Sequence, residues 1–411
     1  MHTYFPVVSK IRLYQHLANP AHEPGSDVAL LFLAMRLACS DIAEGMPPQT
    51  QLYVDVKSFY GYVESQNGFT IQLIQALLLI SLYEMGNAIY PAAYLSIGNC
   101  ARVGHAMGLH ARQETPQMLP RPTTWTEQEE RRRVWWGVVL LDRYINLGHR
   151  GKPLATTDPS LDAHLPTDDQ SWDRGQMLVA APLALSASQT IRAAPFARTC
   201  QSAHLMGKVI RHVDDSSLPL DFRYQDALQL SRTMKALADV IPEEHDENDP
   251  DMKAPLCTSV AICYSSLLTL YDTYSCTENA ILGTGEDRLI VQQESIEGLR
   301  EYSGRVLQLA RRVKTIINQH GSSGLSPMII DSIYQGAANC ESPAMIPTLR
   351  SAPLTHSPYA DCWYFRESSD PGHGEKLAEL KEVLAMLDRR WRVAGQYLFY
   401  VTEVEKWEFH H

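Results

Sequence analysis

The chain has 411 residues, 45% hydrophobic and 20% charged, the balance of an ordinary globular protein with a large buried core. Its 36 Lys and Arg against 47 Asp and Glu give a formal net charge of −11, so unaided capture of nucleic-acid phosphates is not expected. Length alone allows about two or three domains.

Eight cysteines stand at Cys39, Cys100, Cys200, Cys257, Cys263, Cys276, Cys340 and Cys362, and no pair has C-x-x-C spacing. That excludes zinc-ribbon and redox readings and predicts free, buried thiols in a reducing compartment. The start, Met1-His2-Thr3-Tyr4-Phe5-Pro6, has no basic segment followed by an apolar one, hence no secretory signal. The most apolar run, Ala76 to Tyr83, is far short of the ~20 residues that span a bilayer. A soluble, intracellular protein with no membrane partner is expected.

In chain order, Ser26 caps a predicted helix running to Gly45. Ile71 to Glu84 is apolar nearly all round, as in a helix sandwiched inside an α-domain. Pro91 opens a helix to Gly108, with Ile97, Ala101, His105 and Gly108 on one stripe. Thr126 and Glu129 form a capping box that starts a helix near Glu127. Val134, Val138, Leu141 and Ile145 are its inward stripe, and Gly148 ends it. Further helices are predicted at Tyr224–Ile241 and Leu256–Cys276, separated by an acidic connector over 242–255.

A polar loop, Thr277 to Asp287, precedes the stripe Leu299, Tyr302, Val306, Leu309, Val313 and Ile316, with Gly321 as its stop. Ser326-Pro327 reads as cap and first turn of a helix through Asn339, followed by a long Pro/Ser-rich loop over 340–374. Leu377, Leu380, Leu384, Leu387, Trp391, Ala394 and Leu398 then predict one long C-terminal helix. Period-2 strands and repeats of 20–50 residues are absent. The fold class read from this pattern is all-α, a multi-helical bundle forming a single domain over 1–411.

Arg131, Arg132 and Arg133 point in three directions about 100° apart on a helix, so they cannot form one phosphate-binding surface. Pairing with Glu127, Glu129, Glu130 or facing helices is the expectation. Glu130-Arg131-Arg132-Arg133-Val134-Trp135-Trp136, Leu141-Asp142-Arg143, Gly151-Lys152-Pro153 and Leu165-Pro166 together resemble the fungal-specific transcription factor domain. This is the all-α middle homology region that accompanies binuclear zinc-cluster DNA-binding modules. Ile97-Gly98 to Ala101-Arg102, Gly108-Leu109-His110, Tyr334-Gln335-x-Ala337-Ala338 and Trp391-x-x-Ala394 extend the resemblance over roughly residues 1 to 400.

Lys152 stands where the family usually has Arg, and the family's six closely spaced cysteines among basic residues are missing. No direct nucleic-acid binding is therefore expected from this chain alone. The resemblance implies effector binding and control of transcription.

Asp168-Asp169 and Asp214-Asp215 lack the D-D-x-x-D spacing that holds Mg²⁺ and read as loop or cap residues. Asp246-x-Asn248 lacks the Gly and Glu of an EF-hand, and His22-Glu23 lacks the second zincin histidine. Gly321-Ser322-Ser323-Gly324 lacks the lysine of a phosphate loop. Neither a metal nor a cofactor is predicted.

The remaining candidates are Arg102, His105, Asp142, Arg143 and Tyr144, polar residues expected on buried helix faces. They either satisfy one another inside the core or line a cavity for a small apolar molecule. Two function classes stay open. One is a regulator, nuclear, without its own DNA-binding module, working as a homodimer or with a protein partner and tied to fungal secondary metabolism. The other is a cytoplasmic, cofactor-free enzyme of the cyclase, pericyclase or isomerase type. It would hold an apolar natural-product intermediate in a helical cavity near its reactive shape.

Overall fold

The computed structural model describes residues 1–18, 25–43, 45–66, 68–110, 119–148, 151–177, 182–188, 190–215, 217, 219–243, 250–275, 286–339 and 373–408. Among these residues the architecture is all-α, and the nearest approach to a strand is a single bridge between His164 and Ala184. No described helix is long and apolar enough to cross a membrane. Outside the described residues lie His22-Glu23, Asp246, Asn248, Cys276, Cys340 and Cys362. So do 244–249 of the acidic connector, 277–285 of the polar loop and 340–372 of the Pro/Ser-rich loop.

Packing groups the chain into two compact units. The first comprises Met1–Ile145, Leu154–His204 and Ser323–Pro327. It contains α1 (Lys10–Ala18), α2 (Ser26–Cys39), α3 (Gln51–Ser65), α4 (Ile71–Gly86), α5 (Ala92–Ala106), nearly all of α6 (Trp125–Asn146), the short α7 (Asp169–Asp173) and the first half of α8 (Pro195–Asp214).

Its centre is α4. Thr70 caps this helix by accepting from the Leu73 N–H at 3.2 Å, and every residue from Leu73 to Gly86 is buried. The helix is apolar all round because α2, α3 and α5 pack against it. Each buried Leu or Ile there stabilises the unit by about 1.5–3 kcal/mol.

The second unit comprises Asn146–Pro153, Leu205–Ser322 and Met328–His411. It holds the second half of α8, then α9 (Leu220–Glu243), α10 (Pro250–Ser275), α11 (Glu286–His320), α12 (Ile330–Ala338), α13 (His373–Asp388) and α14 (Arg392–Glu408). Here α10 is central, packed against α9, α11 and α12, while α13 and α14 pack on α12 and each other. Helix α9 reaches Glu243 and α10 begins at Pro250, so both ends of the 242–255 connector are helical.

Four boundaries differ from the sequence expectation. Helix α2 starts after Gly25 without a side-chain cap and stops at Cys39, because the Ser40 N–H and hydroxyl both take the Leu37 carbonyl. The cap of α6 is shifted: Thr124, not Thr126, accepts from the Glu127 N–H at 3.2 Å, and Glu127 accepts from the Thr123 N–H. Ser326 does not cap a helix, since Pro327–Ile329 form a 3-10 turn and α12 follows with Ile329 at its N-cap.

Most consequentially, the C-terminal stripe is two helices. Asp388 ends α13, and a Cβ on Gly395 would collide with the Asp388 carboxylate, so glycine lets α14 close onto the end of α13. Trp391 sits fully buried at the corner, stacked under the Arg390 guanidinium at 4.0 Å. Gly148 behaves as expected, with φ +83° just past the end of α6. Of the described cysteines, Cys100, Cys200, Cys257 and Cys263 are buried free thiols, but Cys39 is exposed.

Candidate functional site

Helix α6 carries the charged stretch, and its geometry shows where those charges go. Glu129 and Arg133, one turn apart, are fully buried and paired at 2.9 Å. Glu129 also accepts from the Thr167 N–H at 2.8 Å and pairs with Arg132. Arg133 donates to the Thr167 carbonyl at 2.7 Å, pairs with Asp169 at 2.5 Å and stacks on Trp172 at 4.1 Å.

Glu130 faces the other way, toward the chain start. It accepts from the Ser9 N–H at 2.8 Å and from Gln75 at 2.9 Å, and pairs with Arg12. Burial pushes its carboxyl above the usual range. Arg131 pairs with Glu127 at 2.6 Å. Every member of the arginine triplet thus meets a carboxylate within its own unit, which is a clamp on the segments before and after α6 rather than a surface for a ligand.

Of the five sequence-predicted site residues, Arg102, His105, Asp142 and Arg143 lie near one another, while Tyr144 turns to Pro327. Asp142 and Arg143 do pair, at 2.5 Å. The Asp142 carboxylate also accepts from the Ala155 N–H at 3.0 Å, the Thr156 N–H at 2.9 Å and the Thr156 hydroxyl at 2.7 Å. These bonds fold the 155–158 turn onto α6. Arg143 spans that turn, donating to the Thr156 hydroxyl and to the Thr156 and Thr157 carbonyls.

His105 is half-buried beside the rings of His110 and Trp135, with centroids at 4.6 and 5.2 Å. Partial burial, then the neighbouring His110 and Arg102, hold its pKa below the ordinary histidine value, against the Ala155 backbone and Asp142. Arg102, expected to be buried, is exposed, because it lies on the solvent side of α5. Tyr144 is half-buried and its hydroxyl donates to the Pro327 carbonyl at 3.5 Å.

The second unit contains a cleft of about 370 Å³ between α8 and α9. Leu205, Lys208, Arg211 and His212 line it from α8, Asp215 lies at the link, and Asp226, Gln229, Leu230 and Thr233 line it from α9. His212 anchors the link end, with Nδ1 2.6 Å from the Asp226 carboxylate and Nε2 2.7 Å from the Tyr274 hydroxyl on α10. A neutral ring satisfies both, donating from Nδ1 and accepting at Nε2. Burial holds the His212 pKa below the ordinary value despite Asp226. The Tyr274 hydroxyl, also buried, is pushed up to about 12. Among the described residues no group of three or more His, Cys, Asp or Glu side chains is arranged to hold a metal ion.

The model of the fungal specific transcription factor domain matches residues 1–181. The transcription factor BOA15 of Botryotinia fuckeliana is 38% identical over 132 residues, 32% of this chain and 73% of that protein. This chain belongs to the fungal specific transcription factor domain family. The transcription factor tazR of Aspergillus terreus is 24% identical over 307 residues, 70% of this chain and 48% of that protein. The pigment biosynthesis transcriptional activator pigB of Monascus ruber is 26% identical over 185 residues, 43% of this chain and 33% of that protein. The chain thus spans less than half the length of these last two. No solved structure matches.

The domain match holds the α6 clamp and the Asp142–Arg143 turn, and ends before the α8–α9 cleft. It covers less of the chain than the expected 1 to 400. The expected elements include no helix between Pro166 and Tyr224, where the structure has α8. The signal was present: Phe196, Cys200, Ala203, Ile210 and Val213 recur at helical spacing, all buried, with Lys208 and Arg211 between them.

Proposed function

We propose that this chain is a nuclear regulatory protein acting on transcription of a fungal secondary-metabolite gene cluster, and that a small molecule with an apolar body tunes it. The observation that carries the reading is what the family's domain does with its charges. Glu129, Glu130, Arg133, Asp142 and Arg143 all close internal pairs and brace chain segments. Relatives named as a citrinin biosynthesis transcriptional activator, from Monascus purpureus, and an azaphilone cluster-specific transcription factor, from Aspergillus niger, support the metabolic side of it.

The 411 residues contain no six-cysteine basic module, and their net charge is −11. Promoter contact is therefore assigned to another polypeptide or segment, with this body as the partner that modulates it.

The test is deletion of the gene followed by transcript and metabolite measurement. Transcripts of a contiguous set of biosynthetic genes are expected to change. Level transcripts, with one metabolite replaced by its uncyclised precursor and that precursor converted by purified protein, would establish the enzyme reading instead. Gel shift of the 411-residue protein on the cluster's promoters is expected to give no sequence-selective complex.

A further inference from the structure

We propose that the cleft between α8 and α9 binds a small organic acid, with one carboxylate on Lys208 and an apolar body between Leu205 and Leu230. This deepens the effector reading above and rests on it for its biological meaning, though the binding itself is tested without reference to transcription.

The cleft, at about 370 Å³, is in the range of small-molecule sites of roughly 300–1,000 Å³. Its anionic members are already engaged. Asp226 is held by His212 Nδ1 at 2.6 Å, and Asp215 accepts from the Ser217 N–H at 2.8 Å and hydroxyl at 2.6 Å. Lys208 differs: half-buried on the α8 wall, it makes no hydrogen bond or ion pair with any described residue. An ammonium on a partly desolvated wall gains most from an anion, and a carboxylate gives it a charge-assisted bond.

The rest of the lining selects the body of the ligand. Away from the His212–Asp226 end, the cleft presents Leu205 and Leu230, with the Thr233 hydroxyl and the Gln229 amide beside them. Two leucines facing across a groove favour an apolar or aromatic frame, and the neutral polar pair can take a ring hydroxyl. A bare inorganic anion would use the lysine and leave the leucines in water. A neutral ligand would use the leucines and leave the ammonium unmatched.

Isothermal titration of the purified 411-residue protein with benzoate, benzamide and inorganic phosphate separates these cases. Benzoate is expected to bind at least tenfold more tightly than either comparator. Lys208→Ala and Lys208→Gln are expected to cut benzoate affinity at least tenfold with far-UV dichroism unchanged, and Lys208→Arg to retain most of it. Absence of benzoate binding, equal binding of benzamide or phosphate, or indifference to both Lys208 variants would overturn the proposal. Benzoate binding lost in Lys208→Ala, with cluster transcripts unaffected by gene deletion, would leave the site standing and remove the regulatory reading.

Discussion

The two units place ionisable groups under opposite conditions. Around α6 the charges are buried and matched: Glu129 with Arg133, Glu130 with Arg12 and Asp142 with Arg143, each completed by backbone donors or acceptors. In the α8–α9 cleft, Asp226 is half in water, His212 is kept neutral beneath it, and Lys208 stands without a described partner. A matched, desolvated network can only support a fold, since any ligand must first displace a bond the protein already makes. A partly wet cleft with an unmatched charge is where a ligand can add a bond. The contrast separates charges that support the fold from the charge proposed to meet a ligand, and it can be broken by mutation.

The largest effect is expected at Arg133. Arg133→Met keeps most of the stem over Trp172 but leaves the fully buried Glu129 with Arg132 as its remaining cation, and removes the tie to Asp169 and the Thr167 carbonyl. Removing one partner of a buried pair typically costs about 3–5 kcal/mol. Urea unfolding should show that loss. A change under 1 kcal/mol would mean the α6 network is not closed in solution. Asp142→Asn should cost less, about 1.5–3 kcal/mol, because shape is kept while charge-assisted bonds to Arg143 and the 155–156 backbone weaken. The same titration measures it.

How much of this was legible differs between the regions for a physical reason. The α4 and α6 helices follow from local periodicity, and the pairing of the arginine triplet follows from i, i+3 and i, i+4 spacing: Arg131–Glu127, Arg132–Glu129 and Arg133–Glu129. The partners that complete the clamp, Ser9, Gln75, Thr167 and Asp169, are far away in sequence, and no spacing rule reaches them. At the C-terminus the stripe stays in phase across the corner, because Leu387, Trp391 and Ala394 keep spacings of four and three. Periodicity is therefore blind to the break that Gly395 permits. The cleft needs α8 and α9 together, and the periodicity of α8 is obscured because its apolar residues alternate with Arg198, His204 and Lys208.

A smaller effect is expected from acid. Burial lowers the His212 pKa in the folded protein, while the unfolded chain titrates near the ordinary value of ~6.5. Above ~6.5 both states are neutral and the full stability is present. As pH falls below ~6.5 the unfolded state takes up the proton first, so stability declines until the folded pKa is passed. Asp226 and Asp215 oppose the shift and Arg223 adds to it, with burial the largest cause. His212→Gln removes this group's share. The loss of urea midpoint between pH 7.5 and 5.5 should be shallower in the variant than in the wild type. An equal or steeper loss in the variant would show that His212 carries its proton in the fold.

The smallest effect is expected at Lys208, and smallness is the point. With no described partner to strand, Lys208→Ala should alter unfolding free energy by no more than about 0.5 kcal/mol, the usual range for substitutions outside packed or paired sites. Ligand linkage then reverses the ranking. A carboxylate present at a hundred times its dissociation constant stabilises the folded state by about 2.7 kcal/mol, and the variant should lose most of that gain. Thermal unfolding with and without benzoate measures both quantities in one experiment. A large intrinsic loss in Lys208→Ala would place Lys208 among the fold-supporting charges with Arg133, and the division between the two units would then rest on nothing.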